Sequence, residues 1–145
     1  MKIVRPLTKE VETSIRTRLA NNPVVNFLGV QVPELAEGFA RFELPVRRDF
    51  LNSQGFLQGG LIASLADEAV AYALFSLVPE GEMISTVEMK INFLAPVQQG
   101  TIVAKAYITK RGRTISLGEV EVTQGARLIA KGLCTYIHLT PPQAA

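Results

Sequence analysis

The run Gln58–Val78, QGGLIASLADEAVAYALFSLV, decides the fold. Leu61, Ile62, Leu65, Ala66, Ala69, Val70, Ala73 and Leu74 recur at helical spacing and form one broad apolar stripe. The small residues Ala63, Ser64 and Ala71 cover much of the remaining surface, so this helix is apolar almost all round. Such a helix has to be buried. A membrane span is rejected because Asp67 and Glu68 stand side by side in the middle of the run. Each carboxylate at a bilayer centre costs several kcal/mol. The helix, spanning about 58–78, is therefore expected to lie wrapped in sheet.

Strand signals surround it. Upstream, residues 8–20 read as a short amphipathic helix, capped by Thr8, with Val11, Ile15 and Leu19 in phase and Asn21-Asn22-Pro23 as its stop. Phe27–Val32 reads as a short apolar strand and Pro33–Gly38 as a turn. Phe39–Val46 alternates, with Ala40, Phe42, Leu44 and Val46 on one face and Arg41 and Glu43 on the other. Phe50–Gly60 is loop-like. Downstream, Pro79-Glu80-Gly81 ends the helix and strands are expected over Ile84–Phe93, Thr101–Lys110, Thr114–Thr123 and Arg127–Leu139. Three hairpin-linked strands after one buried helix make an antiparallel α+β domain, not a βαβ repeat. The chain, 1–145, reads as a single domain with a frayed tail at 141–145.

Composition narrows the chemistry. The 145 residues are 48% hydrophobic and 19% charged, enough apolar material for one real core. A net charge of +2 is too balanced for a nucleic-acid partner. With one His and one Cys, a Cys/His zinc site is not expected and an intrachain disulfide is impossible. Cys134 and His138 are four apart on a strand, ~13 Å, too far for a thiol–imidazole pair. Both read as strand packing and a strand end. Catalysis, if any, would use carboxylates, amides, hydroxyls and backbone groups. Met1–Leu7 lacks the apolar stretch of a signal peptide, and the lone thiol suits a reducing, cytoplasmic location.

Asp67 and Glu68 are the only charged residues between Phe56 and Pro79. Burying a carboxylate is costly unless it is paired, solvated or kept for function. The two project about 100° apart. Asp67 has Ala63, Ser64 and Ala71 one turn away, which leaves room for a substrate or a partner chain. Glu68 faces Leu65 and Tyr72 and reads as structural or solvated. From the residues alone, a functional and a structural role for Asp67 both stay open. Gln58-Gly59-Gly60 opens the helix, where backbone N–H groups lack partners and the dipole is positive. A Gly59 N–H there suits an oxyanion. No phosphate-binding loop is spelled.

Asn52, Gln58-Gly59-Gly60, Asp67, then Ser85-Thr86 entering a strand that ends Asn92-Phe93-Leu94-Ala95-Pro96, together resemble the hotdog-fold acyl-CoA thioesterases. The match is nearest to the phenylacetate-pathway subgroup of the 4-hydroxybenzoyl-CoA thioesterase superfamily, whose motif is N-x-x-G-x-x-H-G-G with Asp seven residues on. It runs from about Asn26 to Ile137 and includes Leu28-Gly29 and the Gly112-Arg113 hairpin. Gln58 stands where that subgroup has His; it can donate a hydrogen bond but cannot take up a proton.

The resemblance implies a hotdog fold and thioester hydrolysis of a medium-chain or aryl acyl-CoA, with no cofactor beyond the coenzyme A of the substrate. In it the Gly59 N–H polarises the carbonyl and Asn52 orients the carbonyl or the water. Asp67 from the other subunit acts as base or nucleophile, and Ser85 positions the water or the carboxylate. Gly60, Phe56 and Thr86 are assigned to substrate binding; Lys110, Arg111 and Arg113 at the hairpin turn are candidates for the CoA phosphates, with a solvated turn as the alternative. For Phe56, Tyr72, Phe75 and Phe93, core packing stands beside an acyl tunnel. Gly59 and Asp67 are eight residues apart, ~12 Å along one helix. One chain cannot bring both to one carbonyl, so a homodimer with shared sites is expected, or a tetramer as in the subgroup. The alternative is a non-hydrolytic module that binds acyl-CoA or another acyl ligand.

Overall fold

The computed structural model describes residues 2–139; the tail expected at 141–145 lies outside them. Helix α1 (Lys9–Ala20) begins where Thr8 predicts, its hydroxyl accepting from the Val11 N–H at 3.3 Å. It buries Ile15 and Leu19. The Asn21-Asn22-Pro23 stop is also a start. Asn22 caps a second helix, α2 (Pro23–Leu28), by accepting from Val25 N at 3.2 Å, and Pro23 occupies its first turn, where no N–H is needed. The strand expected over 27–32 is thereby displaced to β1 (Gln31–Ala36). β1 runs through Pro33 with a register shift and turns into β2 (Phe39–Pro45).

After a one-turn 3-10 helix (Arg48–Phe50) and a loop comes the central helix α3 (Gly59–Phe75). It ends three residues before the apolar run does. The Ser76 hydroxyl donates to Ala73 O at 2.6 Å and accepts from Gly38 N at 2.7 Å, which anchors the helix end to the β1–β2 turn. Strands β3 (Met83–Phe93), β4 (Thr101–Arg111), β5 (Ile115–Gln124) and β6 (Arg127–Leu139) follow.

All six strands form one antiparallel sheet in the order β1-β2-β4-β5-β6-β3. β4, β5 and β6 are hairpin-linked as expected. β3 does not pair with the strand that follows it; it lies at the far edge against β6, with Thr86 opposite Tyr136. The sheet wraps α3, whose Leu65, Ala66, Ala69, Val70, Ala73 and Leu74 are fully buried. Phe42, Leu44, Ile102, Ala104 and Val122 face it from the sheet. Gly118 lets β5 pass close to the helix: a Cβ there would lie 2.4 Å from Val70 Cγ1. An antiparallel sheet around one long helix, with a short N-terminal helix, is the hotdog arrangement. No helix among the described residues is long and apolar enough to cross a membrane.

Candidate active site

Two groups of residues gather at α3, one at its start and one at its middle. The first is built on the loop 52–58. Asn52 Oδ1 accepts from Gln54 N at 3.0 Å and Phe56 N at 3.2 Å, while its backbone N–H donates to Phe56 O at 2.7 Å. Gly55, at φ 83°, supplies the left-handed residue that this tight turn requires. The acceptor half of the Asn52 amide is thus engaged, and Nδ2 is the half left to donate. Leu57 N donates to Val97 O at 2.7 Å and Gln58 N to Phe50 O at 3.0 Å, fixing the entry into α3. The Gln58 carbonyl accepts from Leu61 N at 3.0 Å, and its exposed side chain caps nothing.

The N–H groups of Gly59 and Gly60 have no hydrogen-bond partner among the described residues, as the first turn of a helix dictates. They carry the positive end of the helix dipole. The Phe93 ring lies over Gly59, its Cε1 and Cζ 3.5 Å from where a Cβ would sit. A groove opens beside it, lined by Leu57, Gly59, Ile62, Phe93, Leu94 and Pro96.

The second group surrounds Asp67. Thr86 Oγ1 donates to Asp67 Oδ1 at 2.8 Å, and the single O–H of Tyr136 is shared between the same oxygen, at 2.5 Å, and the Asp67 carbonyl, at 2.7 Å. Oδ2 accepts no hydrogen bond among the described residues. Tyr136 is 2% exposed, and burial together with the Asp67 charge pushes its phenol far above the usual range. It is therefore a fixed O–H donor. Cys134, buried one inward position earlier on β6, has its thiol pushed up to about 12 by burial and the same charge.

Glu68 diverges from Asp67 toward Asn22 and Tyr72, yet the two carboxylates line one groove and do not occupy separate environments. The Glu68 carboxyl accepts from Asn22 Nδ2 at 3.1 Å, and that amide also lies 3.0 Å from the Tyr72 hydroxyl. Burial raises the Glu68 pKa; the Asn22 bond opposes the rise and the Asp67 charge adds to it. The groove over this group is lined by both carboxylates, Asp67 and Glu68, together with Arg18, Asn22, Tyr72, Thr86 and Tyr136.

The other expected residues fall apart into inside and outside. Phe56 is half-buried in the loop beside Gly59. Ser85 pairs with Ile137 and lies exposed on the sheet face away from the helix. Strand side chains alternate, so the hydroxyl that meets Asp67 is that of Thr86, and the contact expected of Ser85 is not made within this chain. Arg111 and Arg113 sit at the β4–β5 hairpin, beside the C-terminal end of α3, where Arg111 approaches Glu82 at 4.0 Å. Within one chain this is the wrong end for Gly59: the helix start lies by residues 97–100, ten residues along β4 or about 33 Å. Tyr136 was missed because nothing local marks it; only the β3–β6 register brings it to Asp67.

Residues 54–130 match the family model described as thioesterase superfamily. Acyl-coenzyme A thioesterase 13 of Homo sapiens is 34% identical over 100 residues, 67% of this chain and 71% of that one. The crystal structure of a thioesterase family protein from Silicibacter pomeroyi superposes with a TM-score of 0.83 at 30% identity, covering 89% of this chain and 98% of the other. The E. coli PaaI protein from the phenylacetic acid degradation operon superposes at 0.85 with 26% identity, over 92% and 96% of the two chains.

Proposed function

The chain belongs to the thioesterase superfamily, and from that premise we propose that it hydrolyses an acyl-CoA thioester, with a medium-chain or aryl acyl group, to the free acid and CoA. The observation that carries this reading is the pair of sites on one helix: N–H groups at Gly59 and Gly60, and one carboxylate oxygen of Asp67, that have no hydrogen-bond partner among the described residues. Thioester hydrolysis needs an oxyanion site and one carboxylate.

The Gly59 N–H, in the field of the helix N-terminus, polarises the carbonyl, and Asn52 Nδ2 donates to the carbonyl or the water. Asp67 Oδ2 takes a proton from water as the water oxygen bonds to the acyl carbon. The carbon–sulfur bond then breaks and the CoA thiolate leaves, taking up the proton. Thr86 holds the carboxylate. Gln58 stands at the carbonyl as a neutral donor, and Gly60 and Phe56 bound the acyl group. Arg111 and Arg113, supplied by a second chain, face the CoA phosphates.

The site is shared between two chains in this reading. β3 is an eleven-residue edge strand with Met83, Val87 and Phe93 46%, 55% and 51% exposed, the kind of long apolar edge that pairs. Two β3 edges joined about a two-fold axis run the α3 helices antiparallel. The Asp67 groove of one chain then lies beside the Gly59 end of the other.

Thiol release over a panel of acyl-CoAs tests the function, with sedimentation for the dimer. Turnover abolished by Asp67→Asn in a dimeric protein is the expected result. Full turnover by Asp67→Asn overturns the assignment, and tight acyl-CoA binding without turnover on any panel member identifies a non-hydrolytic binding module instead.

A further inference from the structure

Tyr136 lies 69 residues from Asp67 in the chain, yet its phenol makes two contacts with that one residue, 2.5 Å to Oδ1 and 2.7 Å to the backbone carbonyl. Thr86 donates to Oδ1 from the neighbouring strand at 2.8 Å. Two donors on one oxygen, one of them also anchored to the backbone of the same residue, fix the plane of the carboxylate. They also make its two oxygens unequal. Oδ1 has its lone pairs engaged, while Oδ2 accepts no hydrogen bond among the described residues, on a side chain that lines the open groove. We infer that Tyr136 is a positioning residue for the reaction: with Thr86 it reserves Oδ1 as the held oxygen and leaves Oδ2 as the one that reacts. This rests on the reading of Asp67 as the reacting carboxylate.

The physical setting suits the role. A general base must hold its lone pair within hydrogen-bond reach of the proton it takes. A carboxylate on a helix surrounded by small side chains, Ala63, Ser64 and Ala71, has nothing bulky to fix its rotamer. The hydroxyls supply what packing does not. Tyr136 is 2% exposed, so its ring is held by the core and its oxygen has a defined place. Burial and the Asp67 charge keep the phenol protonated throughout the working pH range, so it donates and does not titrate. Thr86 is exposed, on an edge strand, and is the softer of the two holds.

Tyr136→Phe keeps the ring and removes only the oxygen. With the best acyl-CoA of the panel, kcat is expected to fall about 10- to 100-fold, as for a small misplacement of a catalytic group. KM should stay within about twofold, since Tyr136 does not itself bind substrate. A purely structural role would lower the melting midpoint and leave kcat per folded molecule unchanged, and that result overturns the inference. Full turnover by Asp67→Asn is a separate failure, that of the functional reading. Should Tyr136→Phe not fold, Thr86→Val carries the test. With Tyr136 still holding Oδ1, its loss in kcat must be smaller than that of Asp67→Asn, and Thr86→Ser must restore it. A Thr86→Val enzyme as inactive as Asp67→Asn overturns the inference, because Tyr136 alone would then not keep the carboxylate in place.

Discussion

The hydroxyl of Ser116 lies 2.6 Å from Nε2 of His138. Nδ1 of the same ring lies 2.7 Å from Glu82 Oε1, which completes the hydrogen-bond order of a serine–histidine–acid triad. From the sequence the single His reads as a strand end with no part in catalysis, but one His is enough to build the array. Its setting nevertheless argues against nucleophilic use. Ser116 is 1% exposed and its oxygen already accepts the Gly112 N–H at 3.2 Å. The network instead ties three places together: the β4–β5 hairpin, the end of β6 and the segment after α3. A fluorophosphonate should leave no adduct detectable by intact mass. Ser116→Ala should cost about 1–3 kcal/mol of stability, because it leaves Nε2 of His138 and the Gly112 N–H without their partner. Thiol release by the folded variant should match wild type. An adduct on Ser116 would establish an accessible nucleophile there.

Cys134 gives a second chemical test. Its thiol is fully buried and pushed up to about 12, first by desolvation and then by the Asp67 charge. Only the thiolate reacts with alkylating and disulfide reagents, so at neutral pH this sulfur is inert. Ellman's reagent should titrate no thiol in the native protein and one per chain after denaturation, matching the single cysteine. Iodoacetamide should leave hydrolysis intact. Fast native labelling would mean that the β6 segment carrying Tyr136 opens readily.

Much of the fold is legible in the sequence because it rests on local pattern. An all-round apolar helix must be wrapped, and the Arg127–Leu139 strand appears with the bounds read from its turns. What was not legible depends on contacts between distant segments. Helix α2 has six residues, too few to show a period, and its Asn22-Pro23 start looks like the stop of α1. Ser85 and Thr86 are equivalent in sequence. Which of them faces Asp67 is set by the pairing of Thr86 with Tyr136, just before the register shift at residues 86–88. The Gly59 and Asp67 features were visible because Gly-Gly and a lone acidic pair break an apolar run. Tyr136 and the Ser116–His138–Glu82 array break nothing locally, and only the sheet assembles them.

The acidic pair predicts a pH dependence. The Glu68 pKa is raised from 4.5 chiefly by burial, despite the Asn22 hydrogen bond. A carboxyl raised on folding holds its proton more tightly in the native state. Stability therefore falls as pH rises from 4.5 through the folded pKa, and above it the buried charge is a standing cost. Glu68→Gln keeps an acceptor for Asn22 and removes the charge. Its melting midpoint should exceed that of wild type at pH 7–8, and the advantage should shrink as pH drops toward 4.5. An advantage that does not change with pH would trace the effect to packing instead.

The glycines at the start of α3 separate function from fold. Gly59 has no positive φ, and a Cβ on it meets the Phe93 ring at 3.5 Å, an ordinary contact. Gly59→Ala should therefore stay within about 1 kcal/mol of wild-type stability. The added methyl stands beside the N–H that receives the acyl carbonyl, so kcat/KM should fall at least tenfold, toward the roughly 100-fold loss of an oxyanion donor. At Gly60 a Cβ meets nothing within 4 Å, and Gly60→Ala should lose less. Gly118→Ala should do the reverse. Its Cβ would lie 2.4 Å from Val70 Cγ1 and 3.2 Å from the Tyr107 carbonyl, which forces β5 off the helix at a cost of about 1–3 kcal/mol. Each folded Gly118→Ala molecule should still turn over. Thermal midpoints and thiol release on the three variants decide the matter. A Gly59→Ala protein with wild-type stability and wild-type kcat/KM would remove the helix N-terminus from the reaction.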